Sequence, residues 1–178
     1  MVLPDGFGLE RLNAAPEDQA QQIFVACCSS QQWARQMVAG RPYADHAAVF
    51  AAADRALADL ADTDLDDALA GHPRIGEKVD HDGGEWSRQE QSGMAAASDE
   101  TTRAMADGNR EYERIFGHVY LVSAAGRSAQ EMLGLLHERL GNDPATEREI
   151  VRTQLATINR NRLGRMLEES VQDREAVR

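Results

Sequence analysis

A chain of 178 residues with 42% hydrophobic content can bury roughly two thirds of the surface its unfolded form would expose, so neither a disulfide nor a cofactor is required to hold it together. The formal net charge of −11 opposes binding to nucleic acid or to an anionic membrane, since both need a cationic field, and an anionic small molecule would need a local arginine. The opening MVLPDGFGLERL has no basic n-region or apolar run, no segment approaches the ~20 apolar residues that span a bilayer, and the closing EAVR is not a peroxisomal address. The expectation is a soluble, cytoplasmic protein.

In chain order, Pro16 to Ser29 carries Ala20, Ile23, Phe24, Cys27 and Cys28 at helical spacing, with Glu17 and Asp18 suited to the positive end of the dipole. Adjacent positions on a helix point about 100° apart, so Cys27 and Cys28 do not suit a mutual disulfide and read as free, buried thiols of a reducing compartment. A second helix, Ser30 to Ala39, ends before Gly40 and Pro42. Asp45 caps a third that runs to about Leu60, and Asp64 with Leu65 to Ala70 makes a short fourth, stopped by Gly71.

His72 to Gly93 is the least apolar stretch, with two of the five histidines, the sole lysine and four glycines, and a long polar loop on a helical scaffold is where a site is expected. Ser87 and Glu90 have capping-box spacing and open the next helix, which Gly93 weakens. Asp99 to Phe116 is amphipathic and broken at Gly117. His118 to Ala125 is the only β-like run and, with no partner strand, is read as extended backbone packed between helices. Ser128 and Glu131 form a second capping box for a helix ended by Gly141, and Asp143 and Pro144 start a last helix reaching about Glu169. Seven or so helices with no repeat and no long linker predict an all-α single domain over 1–178, frayed at about 1–7 and 170–178.

The last helix breaks its own pattern. Val151, Leu155, Ile158, Arg162 and Met166 share one stripe, which turns Arg162 inward and requires for it a carboxylate or a bound anion. His72, held between Gly71 and Pro73, has a restricted backbone and the side chain best suited to acid–base work near neutrality. Asp80, His81 and Asp82 are neighbours with no turn between them and make a poor chelate. There is no dinucleotide or phosphate loop, no His-Glu-x-x-His and no Cys-x-x-Cys, so the chemistry is expected to need no cofactor and no metal.

These residues fall into a recognisable order: His72-Pro73-Arg74-Ile75-Gly76, Ser87-Arg88-x-Glu90-Gln91-x-Gly93, Asn109-x-x-Tyr112-Glu113-x-x-Phe116-Gly117, Gly126-Arg127-Ser128, Arg139-Leu140-Gly141-Asn142-Asp143 and Arg162-Leu163. The set resembles the 2-oxo-4-hydroxy-4-carboxy-5-ureidoimidazoline (OHCU) decarboxylases of urate breakdown, particularly their bacterial branch. The resemblance implies an all-α, cofactor-free enzyme, usually a homodimer, that acts after urate oxidase and hydroxyisourate hydrolase and forms (S)-allantoin and CO2. Carried over by motif, it implies His72 as catalytic acid/base, Glu90 as its polar partner and Arg162 as the third active-site residue, with Pro73, Ser87, Gln91 and the run Leu121, Val122, Ser123 and Ala124 contacting substrate. This chain departs from the many members that have Phe-Pro-Phe after Phe-Gly, since it has His118-Val119-Tyr120 there. Two other readings are a metal-dependent hydrolase built on His72, Asp80 and His81, and a non-enzymatic helical interaction module.

Overall fold

The structure, a computed structural model, describes residues 6–77 and 89–168. Among these residues the chain forms eight α-helices, one 3-10 turn and no strand. They are α1 (Leu9–Ala14), α2 (Glu17–Cys28), α3 (Gln31–Ala39), α4 (His46–Ala58), α5 (Asp62–Ala70), the turn Ser92–Met94, α6 (Asp99–Phe116), α7 (Ala129–Arg139) and α8 (Pro144–Leu167).

Helix starts follow the side chains that can accept the first free amides. Ser30 accepts from Trp33 N, Asp45 from Ala48 N and Ser98 from Thr101 N. Ser128 and Glu131 make the expected reciprocal box, and Asp143 Oδ1 takes the amides of Ala145 and Thr146. Helix α5 starts at Asp62, two residues ahead of the expected Asp64, and α1 has no counterpart in the sequence reading. Six residues with one buried side chain, Leu12, give too little periodicity to be recognised. Glu169, the expected end of α8, lies outside the described residues.

The described residues gather into two units, 6–67 with 156–168, and 68–155. In the first, α2 packs on α3 and α3 on α4, with Phe24 and Trp33 meeting edge to face at 5.9 Å and Trp33 Nε1 donating to Ala53 O at 3.0 Å. Asn13 and Tyr43 exchange two hydrogen bonds of 2.9 Å through the asparagine amide, and Arg41 caps the end of α1 by donating to the carbonyls of Leu12 and Ala15. Cys27 and Cys28 form no disulfide and are fully buried here, as expected. Burial pushes the Cys28 thiol up to about 11, which makes it inert near neutrality.

The second unit is built on α6 and α7. Its core comprises Ile75, Met105, Tyr112, Tyr120, Val122, Ala124, Met132 and Leu136. Gly108 lets the two helices approach, since a Cβ there would lie 2.6 Å from Leu136 Cδ2. One ion pair sits inside this core. Arg139, at 6% exposure, donates through Nε (2.9 Å) and Nη2 (2.5 Å) to Glu147 Oε1, and Glu147 is fully buried. The remaining valences are filled: Tyr112 OH donates to Glu147, Asn142 Nδ2 donates to its other oxygen at 2.8 Å, and Arg139 Nη1 donates to Leu121 O at 2.8 Å. The guanidinium also lies 4.8 Å from the Tyr120 ring centre.

A buried carboxylate deprived of its cation is much costlier than a missing pair. Arg139→Met is therefore expected to cost about 3–5 kcal/mol in urea unfolding. Arg139→Met combined with Glu147→Leu should recover part of that loss; a double variant no more stable than the single one would contradict this account.

Candidate active site

His72 follows the last turn of α5. Its backbone N–H donates to Leu69 O at 3.0 Å, its Nδ1 lies 2.8 Å from Ala68 O, and only 6% of the residue is exposed. A carbonyl oxygen can only accept, so Nδ1 carries the hydrogen of the neutral ring. The imidazole is thus fixed in tautomer by the helix from which it emerges.

The four residues after it are held from two directions. From α6, Glu113 takes Arg74 in a two-pronged bond (Nε–Oε1 2.5 Å, Nη2–Oε2 2.9 Å) and Asn109 Nδ2 donates to Ile75 O at 3.0 Å. From the following segment, Gln91 Oε1 accepts from Gly76 N at 2.9 Å while its Nε2 donates to Arg74 O at 3.4 Å. Gly76 sits at φ +85°, a conformation that favours glycine and lets the chain turn here.

Glu90 precedes Gln91 directly and is half-buried at the end of a helical pair, residues 89–90. The Gln91 clamp therefore fixes the segment that carries Glu90 against the loop that carries His72. Gly93 secures the same segment from behind, because a Cβ at this position would overlap the Arg127 carbonyl oxygen. Residues 89–90 are helical and the short turn Ser92–Met94 follows them, while the start of the helix expected at Ser87 lies outside the described residues. Ser87 itself lies outside the described residues, as do Asp80, His81 and Asp82.

Residues Tyr120 to Ala124 are buried and belong to no helix or strand. With no partner strand among the described residues, their backbone is satisfied by side chains and a turn. Leu121 O accepts from Arg139, Ser123 N donates to Gln154 Oε1 at 2.9 Å, Ser123 O accepts from Arg127 Nε at 3.0 Å, and Ala124 O accepts from Arg127 N.

His72, Pro73, Glu90, Gln91 and Leu121 to Ala124 all belong to the 68–155 unit, and Arg162 belongs to the other. Arg162 is turned inward as its stripe predicts, 5% exposed, with Nη1 donating to Cys27 O at 3.0 Å. Arg160, off the stripe, is exposed and paired with Asp54. Among the described residues no group of three His, Cys, Asp or Glu side chains is placed to hold a metal ion, and no helix is long and apolar enough to cross a membrane.

A family model described as OHCU decarboxylase matches residues 13–164. The chain belongs to the OHCU decarboxylase family. It is 30% identical over 148 residues to the uric acid degradation bifunctional protein TTL of Arabidopsis thaliana, an alignment covering 80% of this chain and 46% of that protein. The chain thus spans about half the length of this relative. Among solved structures it is similar to an OHCU decarboxylase crystallised in the presence of (S)-allantoin, with a TM-score of 0.74 and 25% identity over 86% of this chain and 99% of the other. A crystal structure of (S)-allantoin synthase shares the fold, with a TM-score of 0.68 and 14% identity over 90% of this chain and 54% of that one.

Several residues of the family motifs that carry no chemical role in the sequence reading hold the His72 loop in this OHCU decarboxylase family member: Arg74, Asn109 and Glu113. Their signal in the sequence is their place in the motifs; no periodicity could have assigned it. Arg74 holds the Glu113 carboxyl below its ordinary value of about 4.3. A lowered folded-state value stabilises above that pH, and the stabilisation disappears as pH falls through the folded value. The stability difference between wild type and Glu113→Gln, read from urea midpoints, is expected to be largest near neutrality and to shrink below about pH 4. A difference that grows on acidification would show the opposite linkage.

Proposed function

We propose that this chain is a cofactor-free decarboxylase that converts OHCU to (S)-allantoin and CO2. The observation that carries the reading is His72, buried with its Nδ1–H donating to the Ala68 carbonyl, in a chain whose family match spans residues 13–164. The similarity to an OHCU decarboxylase crystallised in the presence of (S)-allantoin supports it further.

In this mechanism the bond between the substrate carboxylate and the ring carbon bearing the hydroxyl breaks. The electron pair moves into the adjacent C=N, whose nitrogen takes up a proton, and CO2 leaves. The remaining enol is ketonised when its hydroxyl loses a proton and the neighbouring carbon gains one. His72 Nε2 delivers that proton to one face of the carbon, which sets the (S) configuration, and Glu90 fixes the donor's position. Arg162 holds the anionic group, a role its guanidinium suits in a chain of net charge −11. Pro73, Ser87, Gln91 and Leu121 to Ala124 complete the substrate contacts in this proposal.

The substrate would be supplied by urate oxidase followed by hydroxyisourate hydrolase, in keeping with the uric acid degradation named for the Arabidopsis relative. The family resemblance further suggests a homodimer, and the buried, unoxidised thiols of Cys27 and Cys28 suit the cytoplasm. Light scattering of the purified protein tests the first of these.

Coupling the protein to urate oxidase and hydroxyisourate hydrolase, with a chelator added after the urate oxidase step, tests the reaction through the circular dichroism of the product. Optically active allantoin should form well above the slow racemic background, and chelator should not slow it. His72→Gln and Glu90→Ala are each expected to reduce the rate by about 100-fold or more, the usual loss on removing general acid–base chemistry. Full rate and stereochemistry in either variant would refute the assigned roles, and loss of activity on chelation would favour a metal-dependent hydrolase.

A further inference from the structure

Helix α8 carries a second polar residue at a position its pattern reserves for packing. Leu155, Asn159, Arg162 and Met166 recur at spacings of four, three and four, and all four are at most 5% exposed. Asn159 is 2% exposed, and among the described residues neither its Oδ1 nor its Nδ2 has a hydrogen-bond partner. Buried side-chain amides are ordinarily paired, and one with both ends unpaired is an exception that calls for a cause. The Asn159 amide reaches the Cys28 thiol without a hydrogen bond of ordinary geometry, and the charge of Arg162 acts on that same sulfur. Asn159, Arg162 and Cys28 thus form one buried cluster, in which the guanidinium donates to the Cys27 carbonyl and the thiol is inert.

We propose that Asn159 is a substrate-binding residue that acts beside Arg162 and reads the amide-like edge of the ligand. The inference rests on the assignment of Arg162 to the substrate. A guanidinium can only donate, which suits a carboxylate; a side-chain amide donates and accepts at neighbouring atoms, which suits a urea or lactam N–H next to its C=O. An apolar residue would fill the position without leaving buried polar atoms unpaired. The bound ligand supplies partners of ordinary geometry that the Cys28 thiol does not, so the amide discriminates ureido compounds from analogues lacking that pattern.

Replacing Asn159 by leucine, close to it in size, separates recognition from support of the fold. In the coupled assay Asn159→Leu should raise KM about ten-fold or more, the equivalent of about one hydrogen bond, while its urea midpoint stays at or above that of wild type. Asn159→Asp keeps the shape, loses the donor and repels an anionic ligand, so it should raise KM at least as much, and it serves as the second variant should the leucine protein fail to fold. As a direct readout, (S)-allantoin should raise the melting temperature of wild type and raise that of Asn159→Leu much less. Wild type that does not accelerate allantoin formation would overturn the decarboxylase assignment. Active wild type whose folded Asn159 variants keep its KM and its allantoin response would overturn only the role of Asn159, as would variants that lose stability with unchanged KM.

Discussion

The Arg139–Glu147 pair sits where an apolar core would be easier to build, and much of the 68–155 unit is arranged to satisfy it. Taking both charges out of water is costly, and their attraction offsets that cost only if every remaining donor and acceptor is met. Tyr112 from α6, Asn142 from the loop between α7 and α8, and the Leu121 carbonyl from the run 120–124 each meet one. Five segments are thereby brought into one register by directional bonds, which apolar contacts alone cannot impose. Burial, with Glu147 as acceptor, pushes the Tyr112 phenol well above its ordinary range, so it remains a neutral donor.

Helix α6 transmits that register to the loop that carries His72. Tyr112 faces the ion pair, whereas Asn109 and Glu113, one turn back and one residue on, reach Ile75 and Arg74. Three motif residues within five positions therefore serve two purposes on two sides of one helix. This accounts for the grouping Asn-x-x-Tyr-Glu in physical terms: it couples the interior of the unit to the strand of backbone that follows His72.

The helices were legible where an N-cap side chain and an apolar stripe coincide, as at Asp45, Ser128 and Asp143. Helix α1 was not, since Gly8 gives no side-chain cap and Leu12 alone is buried. The inward turn of Arg162 was legible because a charge interrupts an otherwise regular stripe. Asn159 lies on the same stripe and passed unnoticed, since asparagine on a helix is common and only burial reveals that its amide is unpaired. Glu147 escaped for a similar reason: a glutamate in the first turn of a helix is adequately explained by the helix dipole, and its burial depends on an arginine eight residues earlier in another helix. The clamp formed by Gln91 depends on a loop path that no local pattern encodes.

The attachments of the His72 loop also differ in kind. Arg74 with Glu113 is a charged contact at a partly exposed position, while Asn109 to Ile75 and Gln91 to Gly76 are neutral amide bonds. Counter-ions weaken attraction between exposed charges at distances set by the Debye length, about 8 Å at physiological ionic strength, but barely alter hydrogen bonds between neutral groups. In concentrated electrolyte the loop therefore loses its hold at Arg74 first and keeps it at Ile75 and Gly76, on either side of the bend. The imidazole's own anchor, a carbonyl of α5, carries no charge to be screened, so its orientation is buffered against the salinity of the surroundings.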